Sequence, residues 1–314
     1  MNDIITVTPN PALDLSTEAP AVIPDRKLRC TAPLVHPGGG GVNVSRAISN
    51  LGGQSRALVA YGGTTGLELV RLIEAEGLRV ETLRVDHATR QSVSVFDHAT
   101  GLQYRFMMPG SPWSDADARA ARAAILDSIT DGALVIPSGS MPPGLPVDFF
   151  LTLTPEIAAR GGRVVIDTSG EALERAAEAK AGLYVLRMDT VEAEELSGRT
   201  LTQLDDMAGL ADDLQAGGAA EIVMIAAGAQ GTVIASPGWR GLTRPPVVVA
   251  HSKIGAGDSF MGAFAMSIAR GEDAVTACCW GTAAAASAVT TMGTELCRRD
   301  ETERFHAQVT RTEL

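Results

Sequence analysis

Short apolar runs rich in Val, Ile and Leu recur along the chain, each closed by glycine, proline or a polar residue. They are Ile4 to Thr8, Ser55 to Tyr61, Ala133 to Ile136, Val164 to Ile166, Leu183 to Leu186 and Ile222 to Ile225. Runs of this length without polar alternation predict strands buried on both faces. Between them apolar residues return at helical spacing. This is so in VNVSRAISNL, which is closed by Gly52-Gly53, in a stretch ending at Gly77, and in the stretch bearing Glu192. Ser114, Asp115 and Asp117 start another helix with an N-cap and first-turn charge. Phe260, Met261, Phe264 and Ile268 predict a helix that starts near Asp258. Strands alternating with helices imply a mostly parallel sheet with helices on both faces. Gln91 to Met108 departs from this pattern. Val93 and Val95 in one arm and Tyr104, Phe106 and Met108 in the other predict a hairpin turning at His98 to Gly101, a small sheet standing off the main one. Lys27 to Val35 reads as a further strand, and Val247 to Val249 as a buried one.

Length and composition narrow the class. The 314 residues suit two units of roughly 150 or one large α/β domain with a small appendage. A net charge of −11 argues against nucleic acid or an acidic membrane as partner. The four cysteines, Cys30, Cys278, Cys279 and Cys297, form no CxxC pair and no metal spacing, which points to a reducing cytoplasm. The start MNDIITVTPN has no basic segment followed by an apolar one, so no signal peptide is expected. Ala274 to Thr294 is uncharged but built mostly of Ala, Thr, Gly, Ser and Cys. It predicts a buried helix packed closely on its neighbours rather than a membrane span.

The candidate chemistry collects at strand ends. Gly255, Ala256 and Gly257 are small enough for backbone N–H groups to face one point at a helix start, where the dipole favours an anion. Asp258 sits at the mouth of that hole, a combination suited to phosphoryl transfer. An ordinary turn with an N-capping Asp is the alternative. Gly38 to Gly41 make a second glycine-rich entry into a helix, but no Gly-Lys-Ser/Thr and no GxGxxG is present, so neither a P-loop nor a dinucleotide fold is indicated. Arg26, Lys27 and Arg29 cluster on the segment read as a strand, either as a solvated edge or as a phosphate site. Arg90 and Arg105 flank the hairpin, available for a ligand. In parallel sheets ligands bind beyond the carboxyl ends of the strands. Asp14, the glycines, Ser138 to Ser140, Asp189, Gly228 and Gly255 to Asp258 all fall there, and so have one place to converge.

GGGGVNVSRA and GAGDSFMGA, in that order near opposite ends of the chain, resemble the two signatures of the PfkB (ribokinase-like) sugar kinases. KLRCTAP, PGGGG, TRQS, QYRFMMPG, SGSMPPG and SGEAL bring the resemblance closest to the bacterial minor 6-phosphofructokinase branch. The resemblance implies a single ribokinase-like three-layer αβα domain over 1–314, with a β lid from about 17–35 and 90–108 through which two subunits clasp as a homodimer. It implies ATP-dependent phosphorylation of fructose 6-phosphate at its 1-hydroxyl. Kinases for tagatose 6-phosphate or fructose 1-phosphate, or a sugar-phosphate-binding relative with eroded activity, are the alternatives. It makes Asp258 the base and Gly255, Ala256 and Gly257 the anion hole. Asp14, Gly39, Gly40, Asn43, Arg90, Ser92 and Ser140 match positions that hold the sugar phosphate, and Lys27 a lid lysine that reaches phosphates of the neighbouring site. Arg187, Asp189 and the loop Ala226 to Gly231, with Gly228 and Gly231, match the ATP side. Asp189 and Glu192 match a motif that organises Mg2+, and Ser252, Ile254 and Gly293 a loop for a monovalent cation such as K+. The chain departs from the family pattern on this nucleotide side. Arg187-Met188-Asp189 stands for Lys-Pro-Asn, Lys253 for Thr, Ala226 for Ser and Glu295 for Arg.

Overall fold

The computed structural model describes residues 2–291 and 295–314. A parallel sheet grows from the apolar runs, β1 (Ile4–Thr8), β4 (Arg56–Tyr61), β5 (Arg79–Arg84), β8 (Leu134–Pro137), β9 (Arg163–Asp167), β10 (Leu183–Asp189) and β11 (Ala220–Ala226), in the spatial order β11-β10-β9-β8-β1-β4-β5. Three antiparallel strands extend it beyond β11 to a ten-stranded sheet: β12 (Thr232–Ser236), β13 (Trp239–Arg244) and β14 (Thr310–Glu313).

Both faces are covered, and the alternation of side chains along each strand divides the core. Leu58, Val135, Val164 and Val223 face one helix layer with Ile125, Leu153, Leu173 and Met207. These come from α3 (Asp115–Ser128), α4 (Phe149–Ala159), α5 (Glu171–Glu178) and α7 (Leu204–Ala216), with the short α6 (Thr190–Ser197) alongside. Leu134, Ile136, Val165 and Met224 face the other layer, against α1 (Gly40–Asn50), α8 (Ala256–Ala269) and α9 (Ala274–Val289). On that side α2 (Gly63–Ala75) packs on Ala57 and Val59, while α10 (Arg299–His306) rests on α9. The expected three-layer arrangement is therefore observed. From Ser259 onward α8 is buried, and it approaches its neighbours without gaps. A Cβ on Gly262 would stand 2.9 Å from that of Ala47, and one on Gly281 of α9 would stand 2.8 Å from the Phe260 ring. The helix expected from Ala274 is thus the close-packed one its composition suggested. Among the described residues no helix is long and apolar enough to cross a membrane.

The lid is a separate four-stranded sheet in the order β3-β2-β6-β7: β2 (Ala12–Ala19), β3 (Leu34–Gly38), β6 (Arg90–Asp97) and β7 (Leu102–Met107). The hairpin turns where its polar residues lie, between Asp97 and Leu102. Three sequence expectations are corrected. Lys27 to Pro33 is not a strand but part of an exposed crossing between β2 and β3, tied to β2 through Thr31 and Glu18, while the ladder with β2 runs only over Leu34 to Gly38. Asp14 does not end a strand of the main sheet. The chain re-enters a strand after Pro11, and Asp14 lies mid-sheet in the lid, paired with His36 and Ser92. Val247 to Val249 is not a strand either. Val247 and Val249 are fully and largely exposed, and Val248 alone packs inward.

Candidate functional site

The glycines of GAGD are imposed by the fold. Gly255 holds the left-handed φ of 73° at the N-cap of α8, and a side chain there would strike Leu296 at 2.4 Å. No side chain caps this helix end, so its first N–H groups stay available to an anion. Asp258 is not the N-cap; it lies within the first turn, partly buried. There it accepts a hydrogen bond from Asn43 Nδ2 at 3.0 Å. Burial and the negative charge of Asp167 lift its pKa from 3.8 to about 7, against the Asn43 hydrogen bond and the cations Arg187 and Arg46.

Gly39 and Gly40 open α1 beside this carboxylate. The φ of 117° at Gly39 is open only to glycine, and a Cβ on Gly40 would lie 2.3 Å from Ser138 Oγ. Gly41 N donates to Ser138 O at 3.3 Å, and Asn10 Nδ2 donates to Ser140 Oγ at 3.0 Å, so the ends of β1 and β8 and the start of α1 form one floor. The lid closes over it from the side. Arg90 donates to Met108 O and Asn10 O. Asp14 and Ser92 share a lid face by strand register, and burial raises the Asp14 pKa against the pull of Arg90, Arg105 and Arg46. A side chain on Gly38 would fall 2.1 Å from Asp14 Oδ2. Asp14 Oδ1, Arg90 Nε and Ser92 Oγ are buried without a hydrogen-bond partner. Asp14 and Ser92 lie close enough to interact, and with Arg90 they make a buried polar cluster that suits a hydroxylated, phosphorylated ligand better than a packed core.

The nucleotide-side candidates lie past β10 and β11. Asp189 and Glu192 are tied to each other as a capping box at the start of α6: Glu192 N donates to Asp189 Oδ1 at 2.9 Å, and Asp189 N to Glu192 Oε2 at 2.7 Å. The second oxygen of each carboxylate lies outside the box. Burial, with Asp189 and Asp167 nearby, raises the Glu192 pKa. Ala226 to Gly231 is a tight loop with a 3-10 turn over Gly228–Gln230. A Cβ on Gly228 would meet open space, whereas Gly231 is required by packing, its Cβ position being 2.1 Å from Thr243 O. Lys27 is exposed in the β2–β3 crossing, and the role expected of it belongs to a neighbouring subunit's site. One placement differs from expectation. Arg187 does not reach toward the nucleotide loop, because its NH1 pairs with Asp167 Oδ1 at 2.8 Å behind α8. Ser252 and Ile254 adjoin in the loop before α8, where Ile254 N donates to Ser252 Oγ at 3.1 Å, and Gly293 lies outside the described residues. Two site residues carried no sequence signal, Asp167 and Arg46. Asp167 is drawn to the base by strand pairing. Arg46 donates to Asn43 Oδ1 at 3.4 Å and pairs with Glu76 at 2.7 Å.

An acid set in the first turn of an uncapped helix, together with the buried acceptor Asp14 and the buried donor Arg90, fits phosphoryl transfer to a hydroxylated, anionic substrate. Comparison with known proteins agrees. The family model for pfkB family carbohydrate kinases matches residues 11–301. The ATP-dependent 6-phosphofructokinase isozyme 2 of Escherichia coli K12 is 37% identical over 308 residues, covering 98% of this chain and 99% of that protein. The protein of the same description from Mycobacterium tuberculosis H37Rv is 34% identical over 302 residues, covering 96% and 88%. The crystal structure of E. coli phosphofructokinase-2 in complex with fructose-6-phosphate superposes with a TM-score of 0.91 at 36% identity, covering 98% of this chain and 99% of that one. The chain belongs to the pfkB family of carbohydrate kinases.

Proposed function

We propose that this protein transfers the γ-phosphoryl group of ATP to the 1-hydroxyl of fructose 6-phosphate, giving fructose 1,6-bisphosphate and ADP. The observation that carries the reading is Asp258, in the first turn of an uncapped helix, held by Asn43 and with a pKa of about 7. A carboxylate of that proton affinity is substantially ionised at neutral pH, yet basic enough to accept the hydroxyl proton as oxygen attacks phosphorus. The new O–P bond forms as the bond to ADP breaks, and the N–H groups of the Gly255–Gly257 turn balance the charge on the moving phosphoryl oxygens. Asp14, Gly39, Gly40, Asn43 and Ser140 hold the sugar hydroxyls, while Arg90 and Ser92 hold its phosphate.

On the nucleotide side, the loop Ala226 to Gly231 lies under the ATP phosphates. The outward oxygens of Asp189 and Glu192 are hard donors of the kind Mg2+ prefers, and the metal, when bound, neutralises phosphate charge. Ser252 and Ile254 serve a monovalent cation, a role the resemblance extends to Gly293. Lys27 serves the site of a second subunit. Two subunits join through the lid, where Leu34, Leu102, Phe106 and Met107 are at least half exposed and otherwise uncovered.

The 1-phosphofructokinase of Rhodobacter capsulatus, 30% identical over 259 residues, keeps a fructose 1-phosphate kinase as the second reading. A coupled ADP-release assay against fructose 6-phosphate, tagatose 6-phosphate, fructose 1-phosphate and free fructose separates them. Fructose 6-phosphate is expected to give the highest kcat/KM. A higher value for another phosphosugar would reassign the substrate. Saturable sugar-phosphate binding without turnover, with ATP and Mg2+ present, would leave a binding protein instead.

A further inference from the structure

We propose that Asp167 and Arg187 act as a positioning pair beneath the active-site turn, with Arg187 propping Gly257 and the two opposite charges fixing how Asp258 is presented. The inference rests on the reading of Asp258 as the base.

Asp167 ends β9 and Arg187 lies on β10, and parallel pairing sets them side by side. Their ion pair is 2.8 Å long, with only 15% and 11% of the respective side chains exposed. The guanidinium is held from above as well. It lies 5.5 Å from the centre of the Phe260 ring, and a Cβ built on Gly257 would stand 3.2, 3.3 and 3.5 Å from its NH2, NH1 and Cζ atoms. Arg187 therefore bears directly on the backbone of the turn whose N–H groups form the anion hole. A shorter or rounder side chain would leave that turn unsupported. A planar guanidinium can grip the carboxylate and stack on the ring together, which an ammonium cannot. Arg187 Nε has no partner, so the side chain is held by this clamp rather than by a wider network.

The pair also acts on Asp258 from two directions. Asp167 disfavours its ionised form and Arg187 favours it. The other groups facing Asp258 are Asn43 and Arg46 of α1, while Glu192 of α6 acts on Arg187 from the far side. Two charges of opposite sign held next to one carboxylate predict opposite responses when each is removed. A role in packing alone predicts no such opposition.

The test is the pH profile of kcat/KM for Asp167→Asn, Arg187→Met and the double variant, with thermal unfolding followed in parallel. The acidic limb is expected to move down in Asp167→Asn and up in Arg187→Met, by ~0.5–1 pH unit each, or 3- to 10-fold in the protonation constant. The double variant replaces a buried ion pair with neutral groups and is expected to fold, with its limb within ~0.3 unit of the parent's by cancellation. If the limbs of both single variants stay in place, or move the same way, the pair is overturned. It is equally overturned if Asp167→Asn raises the Mg2+ requirement while the limb stays, since Asp167 would then serve the metal. Asp258→Asn separates the two readings. If that variant is active, the base assignment fails and the pair falls with it; if it is inactive while the limbs above stay in place, the pair alone fails.

Discussion

Replacing Asp258 by Asn makes two predictions of opposite sign. The amide keeps an oxygen to accept from Asn43 Nδ2, so the local structure is retained. It cannot take a proton from the substrate, and kcat is expected to fall by about 10²–10⁴, the usual share of a general base. Stability should move the other way. The folded-state pKa of Asp258 is about 7 against 3.8 for a free Asp. Between those values the folded protein holds a proton that the unfolded chain has lost, so this residue's contribution is complete below pH 3.8 and is lost as pH rises through 7. The shift from 3.8 to about 7 corresponds to roughly 4 kcal/mol, which Asp258→Asn would not lose. The variant is expected to melt several degrees above the parent at pH 8, with the gap closing toward pH 4. Calorimetry at both pH values, alongside the coupled assay, checks this. A variant no more stable than the parent at pH 8, or a gap independent of pH, would refute an Asp258 whose ionised form is disfavoured by burial and Asp167. Turnover within a few-fold of the parent would remove it as the base.

Further predictions follow from contacts at the site. Gly38→Ala puts a methyl 2.1 Å from Asp14 Oδ2 and must displace it, so KM for the sugar phosphate should rise about 10-fold; an unchanged KM would take Asp14 out of sugar binding. Arg90→Ala should weaken fructose 6-phosphate by about 1–3 kcal/mol while leaving free fructose little changed; equal losses for both would mean that Arg90 does not read the phosphate. Asp189→Asn keeps a good N-cap, so unfolding should move by less than about 0.5 kcal/mol, whereas Asp189→Ala should cost about 1 kcal/mol. Any change in apparent Mg2+ affinity in Asp189→Asn then reports metal handling rather than folding. Phe106→Asp on the exposed lid strand is expected to shift the protein toward monomer in sedimentation; an unchanged species would exclude that strand from the interface.

The repeating strand–helix order, the two glycine-rich helix starts and the hairpin were legible in the chain because each depends on local periodicity and on small residues at fixed places. The buried faces of β1, β8 and β11 announce themselves as continuous apolar runs. Pairing between distant strands has no such signature. Val247 to Val249 has a strand's composition, but no neighbour is available to it, and two of its three side chains point to water. Asp14 looked like the end of a core strand until β2 turned out to pair with β3 and β6. Of the antiparallel edge β12–β14, only the last strand depends on a distant segment, since β14 comes from the far end of the chain to pair with β13. GAGD identified Asp258 and the anion hole, yet nothing local connects it to Asp167, which lies 91 positions earlier in the chain. Arg187 read as one more cation at a strand end. Only the register of β9 against β10 and the descent of α8 onto both commit it to Asp167 and Gly257. The sequence by itself determined which chemical groups are present and which helix starts can bind an anion. The tertiary structure decided which charges meet in low dielectric, and so the proton affinity of the base, because that depends on distances between segments that no local pattern encodes.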